Sequence, residues 1–358
     1  MPNHPPQHDP LHQNIHSRIG DGLRGVGVCV TGGAGFIGGH LSQALLELGA
    51  RLTIIDDLSN ASLDHIASLI DRAPDQVRFL QGSILDPVAL SEAVEGSSLV
   101  FHLAALGSVP KSVQEPDRTW LVNATGTLRV LKAAKNAGVH RVIYSASSSA
   151  YGNNPAQPKT ESMASEPESP YAAAKLAGES LCRAWAGCYE IDTIALRYFN
   201  IFGARQAADS AYAAVIPAFV TRYLLDEAPT IFGDGGQTRD FTHVSNAVLA
   251  NLLAATAEQP LRGQVVNIGA GVRTSVNELA GMIAQRLGKG GIVPEHAPER
   301  VGEVRDSVAD IQMASKVIGY TPITDLQPGL SETVDWYAQQ HRLEFEQSTP
   351  NASGGGTE

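Results

Sequence analysis

Cysteine is scarce in this chain, with three residues among 358. Cys29, Cys182 and Cys188 have no metal-ligand spacing and cannot form a disulfide framework, which fits a reducing compartment. No apolar run approaches the roughly 20 residues that a membrane span needs. The first ten residues, MPNHPPQHDP, lack the cationic-then-apolar pattern of a secretion signal. We therefore expect a cytoplasmic protein without a membrane segment.

Positive charge is also in short supply. Lys and Arg number 26 against 37 Asp and Glu, and the formal net charge is −11 at pH 7. We therefore expect no surface that follows the phosphates of a nucleic acid, although a few placed arginines can still bind a small anionic ligand. The hydrophobic fraction of 43% is ordinary for a globular protein and supplies enough apolar side chains for a core.

Both ends of the chain have the composition of tails. Histidines recur every four residues from His4 to His16, but the prolines among them oppose a helix, so we expect no metal site there. The last residues, STPNASGGGTE, are typical of flexible chain. We predict disordered tails at residues 1–22 and 343–358.

Between the tails, short apolar runs alternate with longer amphipathic stretches up to about residue 200. This alternation indicates an α/β fold of the Rossmann type, a doubly wound parallel sheet covered on both faces. After residue 200 the pattern weakens, so we predict a first domain over 23–200 and a smaller α/β lobe over 201–342 from which the chain returns to the sheet. The predicted strands are Val26–Thr31, Arg51–Asp56, Val77–Gln81, Leu99–Leu103, Arg141–Ser145, Thr193–Arg197, Thr230–Gly233 and Gln264–Ile268, and the predicted helices are Ile37–Leu48, Arg118–Ala137, Tyr171–Tyr189, Ala213–Asp226 and Ser275–Leu287.

A glycine-rich turn follows the first predicted strand and opens the first predicted helix. Its glycines, within Thr31–Gly39, allow a tight turn, close approach of the backbone to a pyrophosphate and close packing of helix on strand. The helix N-terminus then directs N–H groups at the phosphates. Asp56 ends the second strand, where a carboxylate accepts hydrogen bonds from the ribose hydroxyls and repels a 2′-phosphate. The motif therefore predicts binding of NAD in preference to NADP.

Tyr171 and Lys175 lie one helical turn apart and would share a helix face. A nearby ammonium, together with a positive nicotinamide ring, favours the phenolate and brings the tyrosine pKa toward the working range of a base. Tyr-x-x-x-Lys alone also occurs as a surface pair. Ser147, however, stands at the end of a predicted strand, and in an open parallel sheet the ligand crevice lies beyond those ends. The three residues together predict a redox active site.

At this point the chain resembles the extended short-chain dehydrogenase/reductase family, and within it the nucleotide-sugar 4-epimerases, which include UDP-N-acetylglucosamine and UDP-glucose 4-epimerases. The resemblance covers nearly all of residues 24–340. The matching segments are Val30–Gly38, Phe101–Ala105, Asn123–Gly126, Ser147–Gly152, Tyr171–Lys175, Leu196–Asn200, Phe232–Gly235, Arg239 with the next Asp, and Arg300 within 297–310.

The resemblance implies a role for each matching residue. Tyr171 would take the proton of the sugar O4, Lys175 would be its electrostatic partner, and Ser147 would hydrogen-bond at O4. The first domain would hold NAD, tightly bound and recycled, and the lobe would hold the UDP-sugar. The residues implied for NAD are Gly32, Gly35, Phe36, Ile37, Gly38, Asp56, Asp57, Asn60, Ser83, Ile84, Ala104, Ala105, Asn123, Lys175 and Tyr198. Those implied for the substrate are Gly107, Ser108, Ser148, Asn200, Ala214, Val215, Phe232, Arg239, Arg300, Glu303 and Ser307.

The sequence departs from the family at one cofactor position. Family members often carry an Asp just after the Gly of the third strand, where it reaches the adenine. Here the segment reads Gln81-Gly-Ser83-Ile. A serine can still hydrogen-bond, so NAD binding is expected with an altered adenine contact.

The residues after Ser147 bear on the type of reaction. In resembling dehydratases and decarboxylases an Asp-Glu pair or a Glu follows the catalytic Ser or Thr, whereas here Ser148-Ser-Ala follows. The missing carboxylate favours epimerisation, in which hydride leaves sugar C4 and returns to the opposite face of a transient 4-keto sugar.

Substrate size depends on Ser307. In family members restricted to UDP-glucose a tyrosine occupies the aligned position, so the serine leaves room for an N-acetyl group. We expect interconversion of UDP-GlcNAc and UDP-GalNAc, with UDP-Glc and UDP-Gal as further substrates. The alternatives are a UDP-glucose or UDP-glucuronate 4-epimerase, with Arg205 and Lys111 attracting a C6 carboxylate, a nucleotide-sugar dehydratase, or a non-catalytic NAD-binding protein. The helices Arg118–Ala137 and Tyr171–Tyr189 carry apolar residues on more than one face and favour a homodimer, as in the family.

Overall fold

The computed structural model describes residue 15 and residues 17–208, 214–299 and 305–348. Its centre is a seven-stranded sheet in the order β11-β6-β5-β4-β1-β2-β3, with every neighbouring pair parallel. The predicted Rossmann-type fold is therefore confirmed. The seven strands are β1 Gly27–Thr31, β2 Arg51–Asp56, β3 Val77–Gln81, β4 Leu99–His102, β5 Arg141–Ser147, β6 Asp192–Tyr198 and β11 Gln264–Ile268.

Helices cover both faces of this sheet because its strands are apolar on both sides. Along β4, the side chains of Leu99 and Phe101 enter one core cluster, whereas Val100 enters the other. This alternation is the two-residue period of a strand, and burial on both faces is typical of parallel sheets. The helices are α1 Phe36–Glu47, α2 Ala67–Arg72, α3 Pro87–Val94, α4 Val109–Gln114, α5 Pro116–Trp120, α6 Gly126–Asn136, α7 Pro170–Cys188, α8 Val215–Leu224, α9 Val244–Thr256, α10 Val276–Leu287, α11 Gln312–Ile318 and α12 Leu326–Ser348.

The chain after residue 200 forms several small sheets. Their strands are two or three residues long, and they surround a third core cluster to which α8, α10 and α12 contribute Phe219, Leu279 and Val334. The chain also returns to the large sheet through α9 and β11. The pairs are β7 Ile201–Phe202 with β10 Thr242–His243, β8 Thr230–Phe232 with β13 Glu295–Ala297, and β9 Thr238–Arg239 with both β12 Thr274–Ser275 and β14 Asp306–Ser307.

Some predicted boundaries differ from the structure. β5 extends to Ser147, and the helix predicted as Arg118–Ala137 consists of α5, a π-helical turn and α6. None of the described helices is long and apolar enough to cross a membrane. The domain division at residue 200 stays a prediction.

Both predicted tails were drawn too long. Ile15 and Ile19 are buried in the core cluster that contains α1 and α9, so the fold already includes this part of the predicted N-terminal tail. At the other end, α12 continues to Ser348, inside the predicted C-terminal tail. At the N-terminal end the burial of apolar side chains decides the boundary, because a segment that buries them is held by packing whatever the composition around it. Residues 1–14, 16 and 349–358, with the whole histidine series, lie outside the described residues.

Candidate active site

A cleft of about 630 Å³ runs along the carboxyl ends of the large sheet. This is where a doubly wound sheet binds its ligand. The glycine turn and the predicted catalytic residues line the same cleft, which contains most of the predicted cofactor positions. Its lining residues from the prediction are Gly32, Gly35, Phe36, Ile37, Gly38, Asp56, Asp57, Asn60, Ser83, Ile84, Ala104, Ala105, Gly107, Ser147, Tyr171, Lys175 and Tyr198.

The glycine turn has room only for glycine at two places. Gly32 has φ +72°, and a Cβ there would lie 2.5 Å from the Ala104 nitrogen. A Cβ on Gly38 would lie 2.1 Å from the carbonyl oxygen of Gly32. Gly35 caps α1 without a side-chain hydrogen bond, so the first-turn N–H groups of α1 remain available to a ligand in the cleft. The turn therefore fits the diphosphate of a dinucleotide.

Asp56 joins the turn to the second strand. Its Oδ2 accepts a hydrogen bond from the Ala34 N–H (3.1 Å), and its Oδ1 accepts one from the Leu58 N–H (3.0 Å). Burial raises the pKa of this carboxyl, and these backbone donors oppose the rise. The carboxylate is thus fixed by the backbone on the cleft wall, where it is able to accept hydrogen bonds from ribose hydroxyls.

The three predicted catalytic residues come together. Ser147 ends β5, and α7 carries both Tyr171 and Lys175 from an N-terminus capped by Ser169. The Lys175 ammonium is buried and donates to the carbonyl oxygen of Ser145 (2.7 Å). Burial lowers the pKa of Lys175 to about 8. The ammonium is therefore held against the strand that carries Ser147.

Tyr171 differs from the expectation in its acidity. Burial raises the pKa of its phenol, and a hydrogen bond with Ser147 opposes the rise. Lys175, whose ammonium is engaged by the Ser145 carbonyl, does not bring the phenol toward neutrality by itself. The free protein therefore holds a protonated tyrosine, and ionisation requires further positive charge beside it.

Asn123 does not line the cleft, contrary to the prediction that it holds NAD. It is 1% exposed, its Oδ1 accepts from the Leu106 N–H (2.8 Å), and its Nδ2 donates to the Leu106 carbonyl (3.1 Å). The prediction was wrong in this detail because a motif does not distinguish a side chain that touches a ligand from one that positions a wall. Asn123 fixes the loop of Ala104 to Gly107, which does line the cleft.

His102 is a positioning residue to which the sequence pattern assigned no role. Its Nδ1 lies 2.8 Å from Thr31 Oγ1, and its Nε2 lies 2.9 Å from Thr127 Oγ1, so it joins β1, β4 and α6 beneath the turn. Burial lowers its pKa to about 3, with a further contribution from the Lys175 charge. The buried ring is therefore neutral. In the sequence, the one sign of this role is that His102 lies within the family segment Phe101–Ala105.

Other lining residues also escaped prediction. Arg118 on α5 and Leu121 in the π-helical turn line the cleft, as does Gln206 after β7. They come from the helical layer and a loop, and no motif spacing connects them to the glycine turn. Tyr198, which was predicted, accepts hydrogen bonds at its hydroxyl from Ser145 Oγ (3.2 Å) and Asn251 Nδ2 (2.6 Å).

Most of the predicted substrate residues lie outside this cleft. Ser108 caps α4, Ser148 begins a 3₁₀ turn after β5, and Ala214 and Val215 begin α8. A second group lies on the short strands β8, β9 and β14 and consists of Phe232, Arg239 and Ser307. In that group Ser307 pairs directly with Arg239 between β14 and β9. Asn200 and Phe232 are described and do not line the cleft, whereas Arg300 and Glu303 lie outside the described residues.

Comparison with known proteins adds to this geometry. A family model described as the NAD dependent epimerase/dehydratase family matches residues 28–269. A UDP-glucose 4-epimerase of Mycolicibacterium smegmatis is 36% identical over 310 residues, which is 86% of this chain and 97% of that protein. A dTDP-glucose 4,6-dehydratase of Streptomyces niveus is 30% identical over 320 residues, which is 87% of this chain and 92% of that protein.

Solved structures show the same architecture. A UDP-N-acetylglucosamine 4-epimerase from Methanobrevibacter ruminantium M1, in complex with UDP-N-acetylmuramic acid, has a TM-score of 0.83 and 38% identity. The match covers 89% of this chain and 100% of that one. The sequence match and the structural match therefore cover nearly the same share of this chain, 86% and 89%.

Proposed function

The chain belongs to the NAD-dependent epimerase/dehydratase family, within the extended short-chain dehydrogenase/reductases, and we propose that it is an isomerase that epimerises UDP-hexoses at C4. Its cofactor is NAD. We further propose that the NAD is tightly bound and recycled, and that the main substrates are UDP-GlcNAc and UDP-GalNAc, followed by UDP-Glc and UDP-Gal.

The distribution of carboxylates in the cleft carries the choice of reaction. Among the described lining residues, the carboxylates are Asp56 and Asp57, at the end of β2 where the adenosine ribose is expected. Serine and tyrosine, with no carboxylate, line the region of Ser147 and Tyr171. Elimination of water from a sugar needs an additional acid or base. This arrangement supports epimerisation over dehydration.

The catalytic residues would act on the O4 proton. The chemistry that NAD supplies when bound is the reversible acceptance of a hydride from sugar C4. Tyr171 would take the O4 proton as the C4–O4 bond becomes a carbonyl, and it would return that proton as the alcohol forms again. Lys175 favours the phenolate through its charge, and Ser147 hydrogen-bonds to O4. The burial of Tyr171 keeps its proton in place until positive charge is added.

Ser307 supports the proposed substrate size. It is half-buried in β14, where its backbone pairs with Arg239 of β9. Because this pairing holds the strand in place, a larger side chain at position 307 would have to occupy neighbouring space. A tyrosine there would add the volume of a phenol ring. The solved structure of a UDP-N-acetylglucosamine 4-epimerase is consistent with this choice.

The test separates reaction from substrate size. We would incubate the pure protein with UDP-GlcNAc or UDP-Glc, without added NAD, and resolve the products by chromatography. C4 epimers of both are expected. The Ser307→Tyr variant should lose the acetylated pair alone, whereas Ser315→Tyr, at an exposed position of α11, should lose neither. A 4-keto-6-deoxy product would contradict epimerisation, and equal losses on both substrates would contradict the role of Ser307.

The UDP-glucuronate alternative gains no support from the described residues. Arg205 donates to the His65 carbonyl (3.5 Å) and to Gln43 Oε1 (3.4 Å), and it lines a separate hollow beside α1 and α12. Lys111 lies on α4 and does not line the cleft. Neither cation therefore faces the region where a C6 carboxylate would be expected.

We also propose a homodimer formed through the helices α4 to α7. Large apolar side chains are exposed there, including Val113 (65%), Trp120 (51%) and Tyr189 (42%). An exposed apolar patch of this kind is typical of an association surface. Light scattering should give a mass twice that of the 37.8 kDa chain; a monomeric mass would contradict this.

The state of the cysteines supports the proposal of a cytoplasmic location. Cys29, Cys182 and Cys188 are all free, and the first two are buried. Free thiols are typical of a reducing compartment.

A further inference from the structure

Two segments that are distant in sequence run side by side next to the catalytic loop. The Lys159 N–H donates to the Val308 carbonyl (2.8 Å), and the Asp310 N–H donates to the Lys159 carbonyl (2.9 Å). These bonds form a short parallel ladder centred on the bridge between Lys159 and Ala309. The segment 157–159 follows the catalytic serines, and the segment 306–310 carries Ser307. The ladder therefore joins the two groups of predicted site residues.

Gln157 extends this ladder with its side chain. Its Nε2 donates to the Asp306 carbonyl (2.6 Å), and its Oε1 accepts from the Val308 N–H (3.2 Å). The following residue, Pro158, has no N–H with which the backbone could continue the ladder. The amide of Gln157 therefore binds the peptide groups on both sides of Ser307.

Ser307 is held on its other side by β9. In β14 it pairs with Arg239, and the preceding Asp306 pairs with Thr238. β14 is only two residues long, shorter than the strands that usually set their own register in a sheet. A side-chain partner on the side away from β9 adds a second constraint on the backbone at Ser307. Gln157 is that partner.

Asn267 in β11 ties the same ladder to the catalytic turn. Its Nδ2 donates to the carbonyls of Lys159 (2.9 Å) and Asp310 (3.2 Å), and its Oδ1 accepts from the hydroxyl of Tyr151 (2.6 Å). Tyr151 is buried in the 3₁₀ turn that directly follows Ser147. Because Asn267 binds both the ladder and Tyr151, a shift of the ladder changes its position relative to Ser147.

We propose that Gln157 is a positioning residue for substrate selectivity, which holds the backbone of Ser307, as a wall of the sugar site, in place relative to Ser147 and the 3₁₀ turn that follows it. This inference rests on the proposed function, since it takes Ser307 to face the sugar. Loss of the Gln157 amide releases the peptide groups around Ser307 on one side while β9 still holds the other. The backbone at Ser307 then shifts, but the NAD cleft keeps its shape because Gln157 does not line it.

The test compares two glutamines. Gln157→Met keeps the length of the side chain and removes both hydrogen bonds. Gln43→Met makes the same change at another half-buried glutamine, on α1, whose amide bonds to Glu47 and Arg205. For each variant we would measure kcat and KM with UDP-GlcNAc and with UDP-Glc, the retained NAD and the melting temperature.

We expect Gln157→Met to change the ratio of kcat/KM for the two nucleotides by about fivefold, the size expected for losing one or two net hydrogen bonds. The change should lie in the KM of UDP-GlcNAc, with kcat and retained NAD as in the wild type. Gln43→Met should leave the ratio unchanged. Should Gln157→Met not fold, Gln157→Glu keeps the acceptor for Val308 and sets a carboxylate oxygen against the Asp306 carbonyl, so a change of the same ratio is again expected.

Two failures are distinguishable. If Ser307→Tyr removes turnover of UDP-GlcNAc but Gln157→Met leaves the ratio as in the wild type, or changes it no more than Gln43→Met does, the role of Gln157 is overturned and the proposed function stands. If the wild type epimerises neither nucleotide, the proposed function is overturned and this inference falls with it.

Discussion

The cofactor side and the substrate side of this molecule are held together in different ways. The cofactor cleft lies at the ends of strands of four to seven residues in one parallel sheet. A single glycine turn supplies several of the residues that line it. The residues expected to meet the UDP-sugar stand on strands of two or three residues in separate sheets. Long strands place neighbouring side chains by register alone, whereas short ones need side chains to hold their backbone.

Two buried aspartates show this difference. Asp56 accepts one backbone N–H from Leu58, two residues further on, and one from Ala34 in the glycine turn, 22 residues earlier. Asp240, which is fully buried beyond β9, accepts from Ala270 and Gly271 in one segment and from Ala309 in another, so it joins two distant pieces of chain. The carboxylate on the cofactor side joins two neighbouring strands of the large sheet, β1 and β2, whereas the one on the substrate side joins the loop after β11 to the segment after β14.

The largest effect is expected where the two sides meet. Tyr171→Phe removes the hydroxyl that would exchange the O4 proton, and turnover should fall about a thousandfold, within the range for a lost general base. The retained NAD and the melting temperature should stay as in the wild type, because the ring and its packing remain. Chromatographic rates, absorbance of extracted NAD and thermal melts measure the three quantities. A fall of less than tenfold would show that another group takes the proton.

A pair of helical glycines tests the comparison itself. In Gly38→Ala the new Cβ would lie 2.1 Å from the Gly32 carbonyl, so the protein should lose its NAD and about 3 kcal/mol of unfolding free energy. Gly281, in α10 on the substrate side, has nothing within 4 Å of the corresponding position. Gly281→Ala should instead raise stability by up to about 1 kcal/mol, since alanine favours the helix. Urea unfolding measures the stability of both variants. An equal loss of stability in the two would contradict the difference drawn here between the cofactor side and the substrate side.

His102 makes the cofactor side sensitive to acid. Its pKa is about 3 in the folded protein, below the ordinary value of 6.5, so below pH 6.5 the unfolded chain binds more protons than the folded one. Stability is therefore lost as the pH falls from 6.5 toward 3, by about 2 kcal/mol between pH 7 and pH 5 from this group. His102→Gln should flatten that slope in urea unfolding.

The substrate side should supply a second part of the acid slope. His243 is buried there and has a pKa of about 4, so the slope remaining in His102→Gln should be smaller again in the double variant with His243→Gln. An unaltered slope in His102→Gln would show that its ring is not the group that titrates.

The smallest effect is expected at the adenine end of the cleft. Ser83 lines the cleft, and its hydroxyl accepts from the Leu85 N–H (3.2 Å). Ser83→Asp would keep that bond and restore the carboxylate common in the family, so NAD should dissociate about threefold more slowly. Ser59→Asp, elsewhere on the same wall, adds the same charge and should not slow release. Equal slowing in both would show a general effect of charge.

The sequence was sufficient for the cofactor side because its signals are local. The glycine turn, the end of β2 and the Tyr171–Lys175 spacing each predict a position on a regular element, and the sheet brings these positions together. The sequence was insufficient for Asn123, whose motif does not reveal that its amide turns to Leu106. It also could not predict the pairing of Ser307 with Arg239, or Gln157 beside it, because these depend on contacts between residues far apart in the chain.

The ladder between 157–159 and 306–310 also defines a unit for protein engineering. A graft of the strand that carries Ser307 alone from a relative with another sugar preference would leave Gln157 facing unfamiliar peptide groups. A graft that moves both segments, together with the residue at position 267, transfers the hydrogen bonds that hold the two segments together. Exchange of substrate preference between members of the family should therefore follow this pair of segments as one cassette.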